Sequence, residues 1–203
     1  MYTRNLWKKM EIQNSFGGLW DDRKCFDYEM DNQIRLDNDG YVNMFEETAL
    51  QVNDLIEFKT FADVGGGVGA YSLAMKLIDK HVTYYDLNKH HLGYALLYDV
   101  ANVYKQCDIT ETQIKADLVA SIEVMEHITD DKLHQMLNNI ECNYFHFSST
   151  PHKTDWDAEW GHINIKQEKD WIEFFEQHNY ELLTKISVPT QWSLLFKKQN
   201  DNR

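Results

Sequence analysis

Residues 60–71 read Thr-Phe-Ala-Asp-Val-Gly-Gly-Gly-Val-Gly-Ala-Tyr. The first five residues, Thr60–Val64, form a short apolar run, as expected for a buried β-strand. The glycine-rich turn that follows leads into a predicted helix over 71–78, with Leu73, Leu77 and Ile78 facing inward. Glycines in such a turn let a ligand lie directly against the backbone. The stretch therefore predicts a strand, a ligand-binding turn and a helix in succession.

Stretches typical of strands and of helices alternate along most of the remaining chain. A helical period begins near residue 43, with Phe45, Ala49, Val52 and Ile56 on one face. Further strands are predicted at 81–85, 101–106, 117–122, 144–148, 180–188 and 192–198. Further helices are predicted at 89–98, at 129–140 with Thr129 as the N-cap and Leu133, Met136, Leu137 and Ile140 inward, and at 167–178 with Trp171, Phe174, Phe175 and His178 inward.

The order of these elements predicts an α/β fold. Alternating strands and helices build a parallel sheet with helices on both faces, and the last two strands, joined around Pro189, read as an antiparallel hairpin. We expect a Rossmann-like, doubly wound, mostly parallel sheet of seven strands that ends in this hairpin. Ligands of such sheets bind beyond the carboxyl ends of the strands. Residues 1–42 are irregular and aromatic, and we expect them to form an N-terminal extension or lid over a domain at 43–203.

Composition and charge exclude several classes of protein. The chain has 203 residues, of which 43% are hydrophobic and 26% charged, enough for one folded core. Its formal net charge of −13 is unsuited to binding the phosphates of duplex nucleic acid. The three cysteines, Cys25, Cys107 and Cys142, are far apart and form no C-x-x-C pair, so neither a disulfide framework nor a thiolate zinc site is expected. No stretch reads as a signal peptide or a membrane helix, and we expect a soluble cytoplasmic protein with no membrane partner.

The glycine turn is compatible with more than one cofactor class. A phosphate loop for ATP requires a Gly-Lys-Ser/Thr ending, and the first lysine after the turn is Lys76, so this interpretation is dropped. A nicotinamide fingerprint can be drawn through Gly65, Gly67 and Ala70, with Asp86 as the carboxylate that binds the ribose hydroxyl. Asp63 argues against a dinucleotide, because a carboxylate near the turn would repel its pyrophosphate. A ligand without phosphate, such as the cationic S-adenosylmethionine, avoids that repulsion.

The turn and four later segments resemble the class I S-adenosylmethionine-dependent methyltransferases. Asp63-Val-Gly65-Gly-Gly67-Val-Gly69 matches the first family motif, D/E-x-G-x-G-x-G, although relatives often have cysteine or serine where this chain has Gly66. The later segments are Tyr84–Leu87, Cys107–Ile109 and the run Asp117–Ile128, followed by Ser149-Thr150-Pro151. The resemblance extends over about residues 43–198. It implies a cofactor site for S-adenosylmethionine made of Asp63, Gly65, Gly67, Gly69, Asp86, Leu87, Asp108, Ile109 and Glu123, with Asp86 on the ribose hydroxyls and Asp108 and Ile109 at the adenine.

The segment after the strand predicted at 117–122 supplies the candidate catalytic residues. Glu123 and His127 lie there, and His127 is the first candidate for a base because an imidazole accepts protons near neutral pH. His162 completes the catalytic set that we predict. Together with Glu126, these residues also resemble the magnesium site of the small-RNA 2′-O-methyltransferases, although we expect no bound metal.

The predicted function is in-line methyl transfer from S-adenosylmethionine to an oxygen or nitrogen of a small molecule, lipid, sugar or peptide. The loop from Pro151 to Asn164, with Trp156 and Trp160, is expected either to cover an apolar or cationic acceptor or only to anchor itself to the domain. Three alternatives stay open: a magnesium-dependent RNA 2′-O-methyltransferase, an NAD-dependent oxidoreductase, and a non-catalytic protein that binds the cofactor.

Overall fold

The computed structural model describes residues 22–152 and 161–199. The helices are α1 (Asp22–Asp31), α2 (Asp39–Leu55), α3 (Ala70–Leu77), α4 (Lys89–Leu97), α5 (Asp130–Asn138) and α6 (Glu168–Glu176). The strands are β1 (Thr60–Val64), β2 (His81–Asp86), β3 (Val103–Gln106), β4 (Ile114–Lys115), β5 (Leu118–Ile122), β6 (Ile140–Glu141), β7 (Tyr144–Ser148), β8 (Tyr180–Ile186) and β9 (Ser193–Lys198). The first 21 residues lie outside the described residues. So do Trp156 and Trp160, which were predicted to cover an acceptor or to anchor their loop.

The main sheet has seven strands in the order β3-β2-β1-β5-β7-β9-β8. Neighbouring strands from β3 to β7 are parallel, whereas β9 pairs antiparallel with both β7 and β8. The predicted fold class, including the closing hairpin, is therefore confirmed. A small parallel pair, β4 with β6, was not predicted, because two-residue strands are too short to show a period.

The core consists of two apolar layers, one on each face of the sheet. Successive residues of β5 show the division, since Leu118 packs with α2 and α3 while Val119 packs with α5 and α6. Both residues are fully buried. Burial on both faces explains why the central strands β1 and β5 read as mainly apolar runs and do not alternate, whereas β3 at the edge of the sheet is largely exposed.

One of the three residues predicted to face inward around helix α3 does not. Leu77 is 62% exposed, whereas Leu73 and Ile78 are partly buried and pack against the core. The most deeply buried positions include Tyr71, Ala74 and Met75, which share one side of the helix, and the small Ala74 allows the helix to approach the sheet closely. Counting only the large aliphatic residues missed these positions.

The boundaries of other helices also differ from the predictions. Helix α2 begins at Asp39, because the side chain of Asn38 accepts a hydrogen bond from the backbone of Gly40 at 3.1 Å. The predicted start of the domain at residue 43 thus falls inside this helix. Thr129 stands at the N-cap of α5 but makes no capping bond with its side chain. Ile140 and His178 lie beyond the ends of the helices in which they were predicted.

Candidate functional site

A cavity of about 570 Å³ opens at the carboxyl edge of the parallel strands, where the fold predicts a ligand site. Residues that follow β1, β2, β3, β5 and β7 line it, because these parallel strands all end at that edge. Helix α1 and the turn before β9 close its sides with Tyr28, Glu29 and Trp192. The predicted N-terminal extension therefore contributes to the wall of the cavity.

The glycine turn presents bare backbone to this cavity. Gly65 and Gly67 have positive φ angles of 72° and 54°, which favour glycine. The Gly67 amide donates to Asp86 Oδ2 at 2.9 Å, and the Tyr84 hydroxyl donates to the Gly67 carbonyl at 2.6 Å. A Cβ on Gly67 would meet no atom within 4 Å, so this position borders open space. The turn is thus held from behind while its front remains open to a ligand.

Gly66 has a separate structural reason to be glycine in this chain. A Cβ at this position would lie 2.6 Å from a ring carbon of Tyr84, which is fully buried. The cysteine or serine found here in relatives would therefore require the Tyr84 ring to move.

Three of the predicted cofactor residues do not line the cavity. Asp63 is buried behind the turn, where its Oδ2 accepts hydrogen bonds from the Ser72 amide at 3.1 Å and the Ser72 hydroxyl at 2.7 Å. Burial raises the pKa of Asp63 to about 6. Gly69 forms the N-cap of α3, and Asp108 accepts from the amide and the hydroxyl of Thr110. The side chains of Asp63 and Asp108 hold the loops that surround the site. The other predicted cofactor residues line the cavity: Gly65, Gly67, Asp86, Leu87, Ile109 and Glu123.

Asp86 belongs to a charged network that the sequence analysis missed. His91 on α4 places Nε2 at 2.6 Å from Glu29 Oε2 and Nδ1 at 3.6 Å from Asp86 Oδ2. Burial acts to lower the pKa of His91, but its bonds with Asp86 and Glu29 prevail and raise the pKa to about 10. The protonated ring therefore joins α1 to the acid at the end of β2. Glu29 and His91 are far apart in sequence and belong to no motif, so no sequence signal pointed to the pair.

The three predicted catalytic residues all line the cavity. Glu123 has a positive φ of 55°, its amide donates to the Ser148 carbonyl at 2.9 Å, and its carboxylate accepts from the Ser148 hydroxyl. The rings of His127 and His162 are in edge contact, with centroids 4.6 Å apart. The structure therefore brings together residues from the end of β5 and from a segment 35 positions further along the chain.

Glu126 lies behind these histidines. Its side chain is fully buried, and neither carboxyl oxygen has a hydrogen-bond partner in the described part of the chain. Burial and then the nearby Glu123 carboxylate raise the pKa of Glu126 well above its usual value. The Glu126 carbonyl accepts from the amides of Ile163 and Asn164, both at 2.9 Å, which fixes the adjoining His162 next to His127. One ligand atom from each of Glu126, His127 and His162 can be chosen so that all lie within 4.8 Å of one another.

None of the helices in the described ranges is long and apolar enough to span a bilayer.

Three residues that were not predicted as site residues also line the cavity: Thr150, Cys107 and Trp192. Trp192 comes from the hairpin turn, where no sequence pattern indicated a site residue.

Comparisons with known proteins find a matching family and several solved structures of similar fold. Residues 62–141, less than half of the chain, match the family described as a methyltransferase domain. The fold resembles magnesium protoporphyrin IX methyltransferase from Synechocystis with bound S-adenosylhomocysteine, at a TM-score of 0.61 and 15% identity, covering 79% of this chain and 84% of that one. No curated protein matches the sequence.

Two further structures show the same fold. The N-methyltransferase NodS from Bradyrhizobium japonicum has a TM-score of 0.61 and 15% identity over 81% of this chain and all (100%) of that one. Human N-acetylserotonin methyltransferase in complex with S-adenosylmethionine has a TM-score of 0.64 and 14% identity over 89% of this chain and 57% of that one. The predicted resemblance is confirmed: residues 62–141 match the methyltransferase-domain family, and the chain has the fold of the class I S-adenosylmethionine-dependent methyltransferases.

Proposed function

We propose that this chain transfers the methyl group of S-adenosylmethionine to an oxygen or nitrogen atom of a small-molecule acceptor. One observation carries the proposal: the open glycine turn and Asp86 line the same cavity as His127 and His162. The glycine turn and Asp86, which can hold the cofactor, and two imidazoles that can take a proton thus line one cavity.

The residues of the cavity fit this cofactor. The Cβ position of Gly67 borders open space, so a ligand can lie against the turn. The carboxyl groups of Glu29, Asp86 and Glu123 line the cavity, which favours a ligand bearing a sulfonium and an ammonium. Among the described lining residues the cation His91 is already paired with two of these carboxylates. The acidic lining therefore disfavours the pyrophosphate of NAD, an argument that the sequence analysis had rested on the buried Asp63.

The bound cofactor would supply an electrophilic methyl group, and the chain would supply position and proton transfer. Asp86 and the backbone of Gly65 and Gly67 are placed to hold the cofactor, with Asp86 taking the ribose hydroxyls as in the family. His127 is placed to accept the proton of the acceptor nucleophile, and His162 restrains its ring by edge contact. Because methyl transfer is an in-line displacement, most of the rate gain comes from this positioning.

Two features favour a small molecule as the acceptor. Besides its carboxylates, the cavity of about 570 Å³ is lined by apolar side chains that include Tyr28, Ile34 and Trp192, a size and lining suited to a small molecule. The net charge of −13 opposes the binding of duplex nucleic acid. The relatives named for magnesium protoporphyrin IX and N-acetylserotonin, both small molecules, are consistent with this choice.

The proposal is tested by methyl transfer from S-adenosylmethionine with a tritium-labelled methyl group into a protein-free metabolite extract. We expect labelled small products, and we expect His127→Ala to slow their formation about a hundredfold, the usual effect of removing a general base. The control is His81→Ala, because His81 is exposed at the start of β2, at the opposite edge of the sheet. Cofactor binding with no transfer by the wild-type protein would favour the non-catalytic alternative.

A second candidate, magnesium-dependent methylation of RNA 2′-hydroxyls, is favoured by the cluster of Glu126, His127 and His162. The buried carboxyl of Glu126 lacks a partner within the described ranges, and a divalent cation would provide one. Carboxylates and imidazoles are suitable ligands for such an ion, which would orient and acidify a ribose hydroxyl. Glu123, Glu126, His127 and His162 are the residues that would hold it.

This candidate is tested by titrating the protein with Mn²⁺ and Mg²⁺ by calorimetry and by assaying methyl transfer to a short single-stranded RNA. Magnesium-dependent labelling of the terminal ribose, lost in Glu126→Gln, would support it over the first candidate. An absence of metal binding, together with labelled small molecules, would reject it.

A further inference from the structure

A second cavity, of about 250 Å³, lies beside the first and shares a wall with it. The shared wall is Trp192, which lines both cavities. The other walls come from the end of β7, the first turn of α6 and the residues just before β9. This second cavity takes no part in the mechanism described above.

Two tryptophans of its lining have an indole nitrogen that is buried without a hydrogen-bond partner in the described part of the chain. These atoms are Nε1 of Trp171 and Nε1 of Trp192. Trp171 is 1% exposed. Because buried polar atoms in folded proteins nearly always have a partner, two such donors in the lining of one small cavity indicate a group that binds there.

The chemistry of these atoms defines that group. An indole N–H can only donate, so its partner must be an acceptor, and a carbonyl oxygen has two lone pairs to offer. The charged groups nearby are already paired: Glu168 on the rim binds Lys185, and Lys166, 4.9 Å above the Trp171 ring, binds Asp130. Among the described residues, no lysine or arginine lines this cavity to hold an anion. The lining therefore favours a neutral acceptor of hydrogen bonds over a carboxylate or a phosphate.

The position of the cavity links it to methyl transfer. Trp192 lines both this cavity and the one that contains His127. We propose that the second cavity binds a neutral carbonyl group, such as an amide, of the methyl acceptor, so that the nucleophile of the same molecule enters the first cavity past Trp192. The role as an acceptor subsite rests on the proposed function.

The proposal is tested with N-methylacetamide as the probe and propionate as an anionic probe of similar size. Protein containing isotope-labelled tryptophan is titrated with each probe, and the indole N–H signals of Trp171 and Trp192 are identified by their loss in Trp171→Phe and Trp192→Phe. We expect both signals to shift saturably with N-methylacetamide and to respond more weakly to propionate. We also expect Trp171→Phe, read at the Trp192 signal, to weaken amide binding about fivefold, the usual effect of one neutral hydrogen bond.

Several results would overturn the proposal. The first is that neither tryptophan signal moves, which would mean that water satisfies the donors. The second is that propionate binds more tightly than N-methylacetamide. The third is that Trp171→Phe leaves the amide affinity unchanged. If Trp171→Phe does not fold, Trp192→Phe read at the Trp171 signal gives the same comparison.

Binding of S-adenosylmethionine, measured separately by calorimetry, is expected to be equal in wild type and Trp171→Phe, because Trp171 does not line the first cavity. Amide binding in a protein that does not bind S-adenosylmethionine would refute the proposed function and the subsite role. Cofactor binding without amide binding would refute only the subsite.

Discussion

Replacing Gly67 with alanine separates the stability of the glycine turn from its role in binding. The φ of Gly67 is 54°, a conformation that costs an alanine about 1 kcal/mol. The new methyl group would meet no protein atom within 4 Å, so no clash adds to that cost. For a chain of this size we expect the midpoint of thermal unfolding to fall by about 3 °C.

The effect on cofactor binding should be larger than the effect on stability. The Gly67 backbone cannot retreat, because its amide is bonded to Asp86 and its carbonyl to Tyr84. The methyl group must therefore enter the volume that the cofactor would occupy, and inserting a methyl group into a packed contact costs about 2 kcal/mol. This corresponds to an affinity for S-adenosylmethionine about thirtyfold weaker.

The assay is calorimetric titration with S-adenosylmethionine, combined with thermal unfolding. Gly93→Ala is the matched control, since a Cβ on Gly93 in α4 also meets no atom within 4 Å and its φ is ordinary for a helix. This control should keep its affinity and gain up to about 1 kcal/mol of stability. If Gly67→Ala bound the cofactor as tightly as the control does, the open face of the turn would not be the cofactor wall.

Three further predictions concern the groups that support the turn. Tyr84→Phe removes the hydroxyl that donates to the Gly67 carbonyl, and we expect a loss of about 1 kcal/mol in urea unfolding together with weaker cofactor binding; unchanged values for both would show that this bond does not support the turn. Because its two carboxylate partners outweigh burial and raise the pKa of His91 to about 10, its stabilising contribution is complete below about pH 6.5 and is lost as the pH rises toward 10. The difference in unfolding free energy between wild type and His91→Gln should shrink over that range, and a constant difference would contradict the ion network. Because burial raises the pKa of Asp63 to about 6, the wild-type protein should lose stability as the pH rises from about 4 to about 6. In Asp63→Asn the unfolding free energy should no longer fall over this pH range. If the unfolding free energies of wild type and Asp63→Asn instead changed in parallel with pH, the carboxyl would not be buried as described.

Much of the fold was predictable because its signals are local. Thr60–Val64 is mainly apolar, the glycines after it open a turn, and Asp86 ends the next strand, so each feature is visible in a few consecutive residues. The inward face of α3 was not predictable from large aliphatic residues alone, because the helix packs through the small Ala74 and the aromatic Tyr71. Whether a small residue such as Ala74 faces the core depends on how closely the helix packs on the sheet, and that packing cannot be read from the sequence.

The candidate site was predictable where residues follow strands and unpredictable where distant segments meet. Glu123 and His127 follow a strong apolar strand, and the structure places both in the cavity. Glu29 reaches His91 across 62 positions, and Trp192 reaches the cavity from the closing hairpin. Such contacts depend on how α1 and the hairpin pack, and no local pattern encodes that packing. Asp63 fits the family motif, but the motif does not show that its carboxylate accepts hydrogen bonds from Ser72, nine positions further along the chain.

The most direct test of the account is calorimetric titration of the purified protein with S-adenosylmethionine, S-adenosylhomocysteine and NAD, each with and without Mg²⁺. The acidic cavity beside the glycine turn predicts binding of the first two ligands and none of NAD. Binding of NAD alone would contradict the assignment of this cavity to S-adenosylmethionine, and binding of none of the three would contradict its role as a cofactor site.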